Sequence, residues 1–174
     1  AVRPDLDVVD LRGNVDTRLR KLRDGQYDAV VLAAAGLERL NHGTSITEYL
    51  PLELMMPAAG QGALCVEVRA DDATTREWIE CLDHAPTRQA TGAERAFLRR
   101  LEGGCQVPVG AYGQVSDSAL RLRGLVAAID GSRIVRDEIA GPAPEAERLG
   151  LELAERLLAN GAEDILAEVR QSVA

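Results

Sequence analysis

The chain has 174 residues, of which 46% are hydrophobic, so it can form one large domain or two small ones with a proper core. Its net charge of −8 and its aromatic content of 3% argue against general binding to nucleic acid or to anionic membranes. No apolar stretch approaches the ~20 residues of a membrane span, and the charged start lacks the apolar core of a secretory signal. Three cysteines without a CxxC pair suit reduced thiols in a cytoplasmic protein and argue against a metal site.

The first part of the chain alternates between predicted strands and predicted helices. Apolar runs predict strands at 6–10 and 28–32, and helical periodicity predicts helices at 15–22, with Asn14 as N-cap, and at 33–41. This order is typical of a parallel α/β sheet. The unbroken apolar run of the second strand further predicts a sheet that is covered on both faces.

A connector of small residues at 58–62 separates this part from the next elements. The alternating segment at 63–69 predicts a further strand, and Asp71 or Asp72 is expected to cap a helix that runs to Leu82. The sequence His-Ala-Pro at 84–86 then predicts a boundary, because proline ends one element and can open the next.

The pattern changes after this boundary. A long helix is expected at 87–101, and its charged residues, Glu94 among them, are most simply a solvated face. The remaining predicted elements are three strands at 107–115, 120–129 and 134–140, followed by helices at 144–159 and 162–169. Together they predict a small α+β domain built on an antiparallel sheet.

Cys105 lies in the run LEGGCQVPVG at residues 101–110. Two glycines precede the thiol and a proline-bearing extended segment follows, so the cysteine is expected on a tight loop between a helix and a strand. A thiol on such a loop is available for covalent chemistry. The run fits a glycine helix cap followed by a small buried cysteine equally well.

Arginines near the ends of predicted strands are candidates for binding anions. Arg12 precedes the first predicted helix and Arg18 lies one turn inside it, where free N–H groups favour anions and two guanidinium groups can clamp a carboxylate. On the sequence alone, a solvated arginine beside an ordinary Asn14 cap is the more common arrangement.

Two other stretches fit either ligand binding or an ordinary structural role. In LAAAGLERL, at 32–40, Gly36 and the neighbouring alanines let a ligand approach the backbone and Arg39 follows one turn later, but close strand–helix packing needs small residues too. Gln61 stands between two glycines, which indicates a hinge or a binding loop, although a plain turn explains the pattern equally well.

Four motifs in order resemble the porphobilinogen deaminase (hydroxymethylbilane synthase) family. They are LRGNVDTRL at 11–19, LAAAGLERL at 32–40, PAAGQGAL at 57–64 and LEGGCQVPVG at 101–110, and they span essentially the whole chain. The resemblance implies a transferase of haem and tetrapyrrole biosynthesis. Such an enzyme condenses four porphobilinogen molecules head to tail, with loss of ammonia, and releases hydroxymethylbilane by hydrolysis.

The resemblance also implies roles for individual residues. Cys105 matches the family cysteine that carries a dipyrromethane cofactor through a thioether. Arg12, Arg18 and Gly36 match cofactor-binding positions, and Arg12, Arg18, Arg39 and Gln61 match positions that bind porphobilinogen and the growing polypyrrole. Because every pyrrole carries an acetate and a propionate group, arginines suit both ligands.

The family has three domains, and no aspartate here matches the catalytic one of its N-terminal domain. No catalytic residue is therefore assigned, and this chain alone is expected to be inactive and to pair with another copy, whereas the full-length family protein is expected to be a monomer. Residues 1–56 are expected to be the later part of domain two, a partial parallel-sheet, periplasmic-binding-like α/β domain. Residues 57–84 would be a connector and a segment of domain one, and residues 85–174 the α+β domain three that carries the cysteine.

A non-enzymatic alternative is a small-anion-binding α/β regulatory module with an α+β appendage. Such a regulator would ordinarily bring a DNA-binding helix pair, which the sequence does not predict. The alternative also gives no reason for the Gly-Gly-Cys loop.

Overall fold

The structure, a computed structural model, describes residues 3–102 and 108–173. Its contacts divide the chain into two compact units, Ala1–Met55 and Met56–Ala174. Among the described residues, no helix combines the length and the apolar content that crossing a membrane would require.

The described residues of the first unit form two short helices and one turn of 3₁₀ helix. Helix α1 is Val15–Arg23, helix α2 is Ala34–Arg39, and the 3₁₀ turn is Gly43–Ser45. The Asn14 side chain accepts a hydrogen bond from the Thr17 N–H, which confirms the predicted N-cap of α1. Only Leu19 and Leu37 are buried among the described hydrophobic residues of this unit, so its own core is small.

Polar contacts hold the segments after α2 in place. His42 Nε2 lies 2.9 Å from Asp16 Oδ1 in α1, and the Tyr49 hydroxyl donates to Glu38 Oε1 of α2 over 2.8 Å. Both contacts are exposed. They define where the loop runs but add little stability, since exposed pairs contribute at most about 1 kcal/mol.

The predicted strands at 6–10, 28–32 and 63–69 are absent from the described residues, so a periplasmic-binding-like parallel sheet is not observed. A strand needs a hydrogen-bonded neighbour, and the described chain supplies none to these segments. Their apolar side chains are consequently exposed, to 89% at Val8 and 73% at Leu64. The prediction of strands there is wrong for this structure.

The second unit begins with a loop and two helices. Helix α3 is Ala73–Ile79, continued by a 3₁₀ turn at Glu80–Leu82, and helix α4 is Ala85–Arg100. Asp72 caps α3 by accepting a hydrogen bond from the Thr75 N–H at 3.0 Å. Proline lacks a backbone N–H, but the N–H groups of the first helical turn have no partner within the helix, so the proline near the start of α4 is well accommodated there.

A three-stranded antiparallel sheet follows, in the order β1-β2-β3, which confirms that part of the predicted fold. Its strands are β1 Val109–Ser116, β2 Ala119–Ala127 and β3 Ile134–Pro142. The alternating buried and exposed positions of β2 show that one face of the sheet meets the core.

The core of the second unit lies between this face and three helices. Helix α5 is Ala146–Leu157 and helix α6 is Glu163–Val173, and Gly161 between them has a φ of 98° that suits glycine. The fully buried side chains come from α4, β2, α5 and α6; they include Phe97, Leu120, Leu122, Leu149, Leu153, Leu157 and Ile165. The small domain is therefore a sheet covered on one face by helices.

Candidate functional site

Cys105 lies outside the described residues, within 103–107. The two elements that flank it in the chain are well defined. Helix α4 ends at Arg100, the following Leu101 is buried in the core, and β1 begins at Val109. The predicted placement of the cysteine between a helix and a strand remains a prediction for residue 105 itself.

Arg12 lies in the turn that leads into α1, and the Arg18 side chain reaches back to this turn. The Arg18 Nε–H donates to the Gly13 carbonyl over 2.8 Å, and Lys21 Nζ donates to the Arg12 carbonyl over 3.2 Å. Gly13 has a φ of 123°, and a Cβ there would lie 2.8 Å from Thr17 Cγ2, so the turn requires glycine. This arrangement brings three cationic residues to the N-terminus of a nine-residue helix.

This turn is chemically suited to carboxylates. The helix N-terminus contributes partial positive charge and the guanidinium groups can bind carboxylate oxygens in pairs. The acidic residue of the first turn, Asp16, is held by His42. Lys21 was not among the predicted residues, although its spacing of three from Arg18 places both on the same helix face.

Gly36 and Arg39 lie on α2, and Arg39 is exposed in the last turn of that helix. A Cβ built on Gly36 would meet no described atom within 4 Å. Within the described residues, close packing against Gly36 is therefore not the reason for a small residue there. The space beside Gly36 is open among the described residues.

Gln61 is exposed on a turn of the second unit between Gly60 and Gly62, whose φ values are 76° and 85°. Both values lie in the left-handed region that favours glycine. The turn lines a cleft of about 190 Å³ together with Thr91 of α4 and Tyr112 of β1. The prediction of a turn at this position agrees with the structure, and the cleft gives Gln61 a concave surface beside it.

The prediction that Glu94 lies on a solvated helix face is wrong. Only 5% of this residue is exposed. Its Oε2 accepts the Gly60 N–H at 2.6 Å and its Oε1 accepts the Gly113 N–H at 2.7 Å. Burial raises the pKa of the Glu94 carboxyl, and the two backbone hydrogen bonds oppose that rise.

The predicted site residues fall into both compact units. Arg12, Arg18, Gly36 and Arg39 belong to the first unit, and Gln61 belongs to the second. The structure shows contact between the segments of Arg12 and Arg18 and places Gly36 and Arg39 on one short helix. Each of these arrangements is local to one unit.

Two family models match the chain. Residues 1–77 match the model described as porphobilinogen deaminase, dipyromethane cofactor binding domain, and residues 89–159 match the model described as porphobilinogen deaminase, C-terminal domain. The second match includes the sequence around Cys105 and all three strands of the described sheet.

Curated relatives carry the same name. A porphobilinogen deaminase of Geobacter metallireducens is 58% identical over 170 residues, which cover 98% of this chain and 54% of the relative. Those of Geobacter sulfurreducens and Desulforudis audaxviator are 55% and 56% identical, with 98% of this chain and 54% and 55% of the relatives covered. The chain spans about half the length of these relatives, and it belongs to the porphobilinogen deaminase family.

Proposed function

We propose that this chain is the cofactor-anchoring and carboxylate-binding part of a hydroxymethylbilane synthase. The observation that carries the proposal is the match of residues 1–77 and 89–159 to two domains of this family, the first named for the dipyrromethane cofactor. The identities of 55–58% to enzymes named porphobilinogen deaminase support the same activity. The full-length enzyme would join porphobilinogen units with loss of ammonia and release hydroxymethylbilane.

Cys105 is proposed as the attachment point of the cofactor. A thiolate is a strong nucleophile and a carbon–sulfur bond is a stable anchor. When bound, the dipyrromethane supplies the pyrrole carbon to which the first substrate is joined. The role of this chain is to hold that group in one place. On either side of Cys105 in the sequence, Leu101 is buried in the core and strand β1 begins at Val109.

Arg12 and Arg18 are proposed to hold the carboxylates of cofactor and substrate. The cationic turn before α1 fits these groups, because each pyrrole brings an acetate and a propionate and guanidinium groups bind carboxylates in pairs. Lys21 lies at the same turn and adds positive charge. Local positive charge of this kind is needed since the chain as a whole carries −8.

Gly36 and Arg39 are proposed to line the same binding surface from α2. The open backbone at Gly36 lets the cofactor approach, and the exposed guanidinium of Arg39 is placed to bind a substrate carboxylate. Gln61 is proposed as a substrate-binding residue whose amide can both donate and accept hydrogen bonds.

The general acid or base of the reaction is proposed to belong to the half of the relatives' length that this chain does not cover. We accordingly expect the chain alone to bind ligands without turnover. The full-length protein is expected to be a cytoplasmic monomer.

Intact-mass analysis of a full-length protein that carries this chain tests the proposal. The unsubstituted protein should carry an adduct of two pyrrole units, give colour with acidified Ehrlich reagent and consume porphobilinogen. Cys105→Ser should lose the adduct, while Cys65→Ser, a change at an exposed free thiol, serves as the matched control and should retain it. A full-length protein that neither holds the adduct nor consumes porphobilinogen would exclude the proposed function.

A further inference from the structure

We propose that Glu94 is a positioning residue that fixes the Gln61 segment, defined as residues 57–62, on the two elements that flank Cys105 in the chain. The inference rests on the proposed function of Gln61 and Cys105. It concerns how the fold holds the backbone on either side of Gln61 in one position.

The Glu94 carboxylate joins three parts of the second unit. It projects from α4, accepts the Gly60 N–H at 2.6 Å and accepts the Gly113 N–H of β1 at 2.7 Å. Each oxygen takes one backbone donor, at distances typical of charge-assisted hydrogen bonds. With 5% of the residue exposed, water has little access to compete for either donor.

A second set of contacts holds the beginning of the Gln61 segment. The Ala111 N–H donates to the Pro57 carbonyl over 3.0 Å. A Cβ at Gly110 would lie 3.1 Å from Met56 Cβ and 3.2 Å from the Pro57 carbonyl oxygen, so the strand approaches the segment closely. The segment is thus attached to β1 at Pro57 and to Glu94 at Gly60, immediately before Gln61.

The same contacts relate this segment to Cys105. Helix α4, which carries Glu94, and strand β1, which carries Gly113, enclose Cys105 in the sequence. Any shift of the Gln61 segment relative to α4 and β1 would break its hydrogen bonds to Glu94 and to Ala111. Glu94 resists such a shift from both elements at once.

A carboxyl group suits this arrangement because each of its two oxygens can accept a hydrogen bond. A glutamine has one acceptor oxygen, and its NH₂ group would face the second backbone N–H, donor against donor. Among the described residues, Glu94 has no ion pair with a lysine or arginine, so its two hydrogen-bond partners are backbone groups. Burying a carboxylate without a cation costs free energy. Both polar contacts of Glu94 hold backbone groups in place, those of Gly60 and Gly113.

A double-mutant cycle in the full-length protein tests the inference. Glu94→Gln and Gln61→Ala should each raise the KM for porphobilinogen by about tenfold, the scale of one lost hydrogen bond to a charged group. The double variant should be no worse than either single variant, because both changes remove the same interaction of Gln61. Adduct content, measured by intact mass, should stay equal to that of the unsubstituted protein.

Hydrogen exchange on the 174-residue chain gives an independent readout. Glu94→Gln should raise the exchange rate of the Gly60 amide, the Gly113 amide or both, while Glu147→Gln, a surface change on α5, should leave both rates unchanged. Additive KM effects, or unchanged exchange in Glu94→Gln, would overturn the positioning role while the proposed function stands. An unsubstituted full-length protein without adduct or turnover would exclude the proposed function itself, and the proposed role of Glu94 in it.

Discussion

Glu94 combines two opposing influences on one carboxyl group. Burial disfavours the charged form and raises the pKa, which is the larger effect, and the hydrogen bonds from Gly113 and Gly60 favour the charged form. The folded state therefore binds the Glu94 proton more tightly than the unfolded state does. Linkage then makes the contribution of this residue to stability depend on pH.

The sign of that dependence can be tested by comparing the unsubstituted chain with Glu94→Gln. The stability contributed by Glu94 should be fully present below about pH 4.3, the ordinary glutamate value. It should be lost as the pH rises through the raised pKa of the folded state. Urea unfolding across this range measures the difference in unfolding free energy between the two proteins. A difference that grows in favour of the unsubstituted chain with rising pH would contradict the assigned direction.

Arg18 provides a second prediction at the residue scale. In the full-length protein, Arg18→Ala should raise the KM for porphobilinogen by roughly tenfold to a hundredfold, as expected for lost hydrogen bonds between charged groups. Arg20→Ala is the matched control, because Arg20 is exposed on the same helix and, unlike Arg18, its side chain makes no hydrogen bond to the described residues of the Gly13 turn. Steady-state kinetics would refute a role at this turn if both substitutions had the same effect.

At the scale of elements, α4 and α5 pack with their backbones close together at Gly150. A Cβ on Gly150 would lie 2.8 Å from Ala96 Cβ and would also collide with the Ala93 carbonyl oxygen of α4. Both helices contribute to the main core, with Ala93 and Leu153 fully buried. The packing of the small domain therefore depends on the absence of a side chain at one helical position.

Gly150→Ala should destabilise the chain by about 1–3 kcal/mol, the usual cost of overpacking a core. Gly92→Ala, in α4, is the matched control, since a Cβ there would meet no described atom within 4 Å. It should stabilise the chain by about 0.4–1 kcal/mol through a less flexible unfolded state. Urea unfolding followed by circular dichroism measures both values, and equal signs for the two substitutions would contradict this account of α4–α5 packing.

The elements that could be predicted are those with local signals. Asn14 and Asp72 mark helix starts because each side chain accepts a hydrogen bond from an N–H three residues later. The Asp-Gly pair at 130–131 marks the β2–β3 turn because Gly131 adopts a φ of 71°. In each case the information lies within a few residues of the element.

The features that could not be predicted depend on distant partners. The helical pattern predicts that Glu94 is solvated. Its burial depends on the backbone N–H groups of Gly60 and Gly113, which lie 34 and 19 residues away in the sequence. Lys21 was overlooked since its partner is a carbonyl rather than a charged group. Apolar runs at 6–10, 28–32 and 63–69 predict buried strands, but a strand forms only against a neighbour, and large apolar side chains of these runs are exposed in the structure.

At the scale of the whole molecule, these three runs leave apolar side chains exposed in both units. Val8 and Val31 in the first unit and Leu64 in the second are among the large hydrophobic residues with the greatest exposure. Extended apolar segments without partners are templates for pairing with another chain. Since the chain spans about half the length of its relatives, the exposed runs are places where further protein surface can pack.

The isolated chain should consequently self-associate with rising concentration. Sedimentation velocity should show dimers or larger species, and Val31→Lys should shift the distribution toward the monomer, because a lysine in an exposed extended segment opposes pairing with another chain. Leu151→Lys is the matched control: Leu151 is 41% exposed on α5, outside the three runs, and its replacement should leave the distribution unchanged. A chain that stays monomeric at all concentrations, or that responds equally to both substitutions, would show that these runs do not act as pairing surfaces. Exposed apolar segments of this chain would then not be enough to cause self-association.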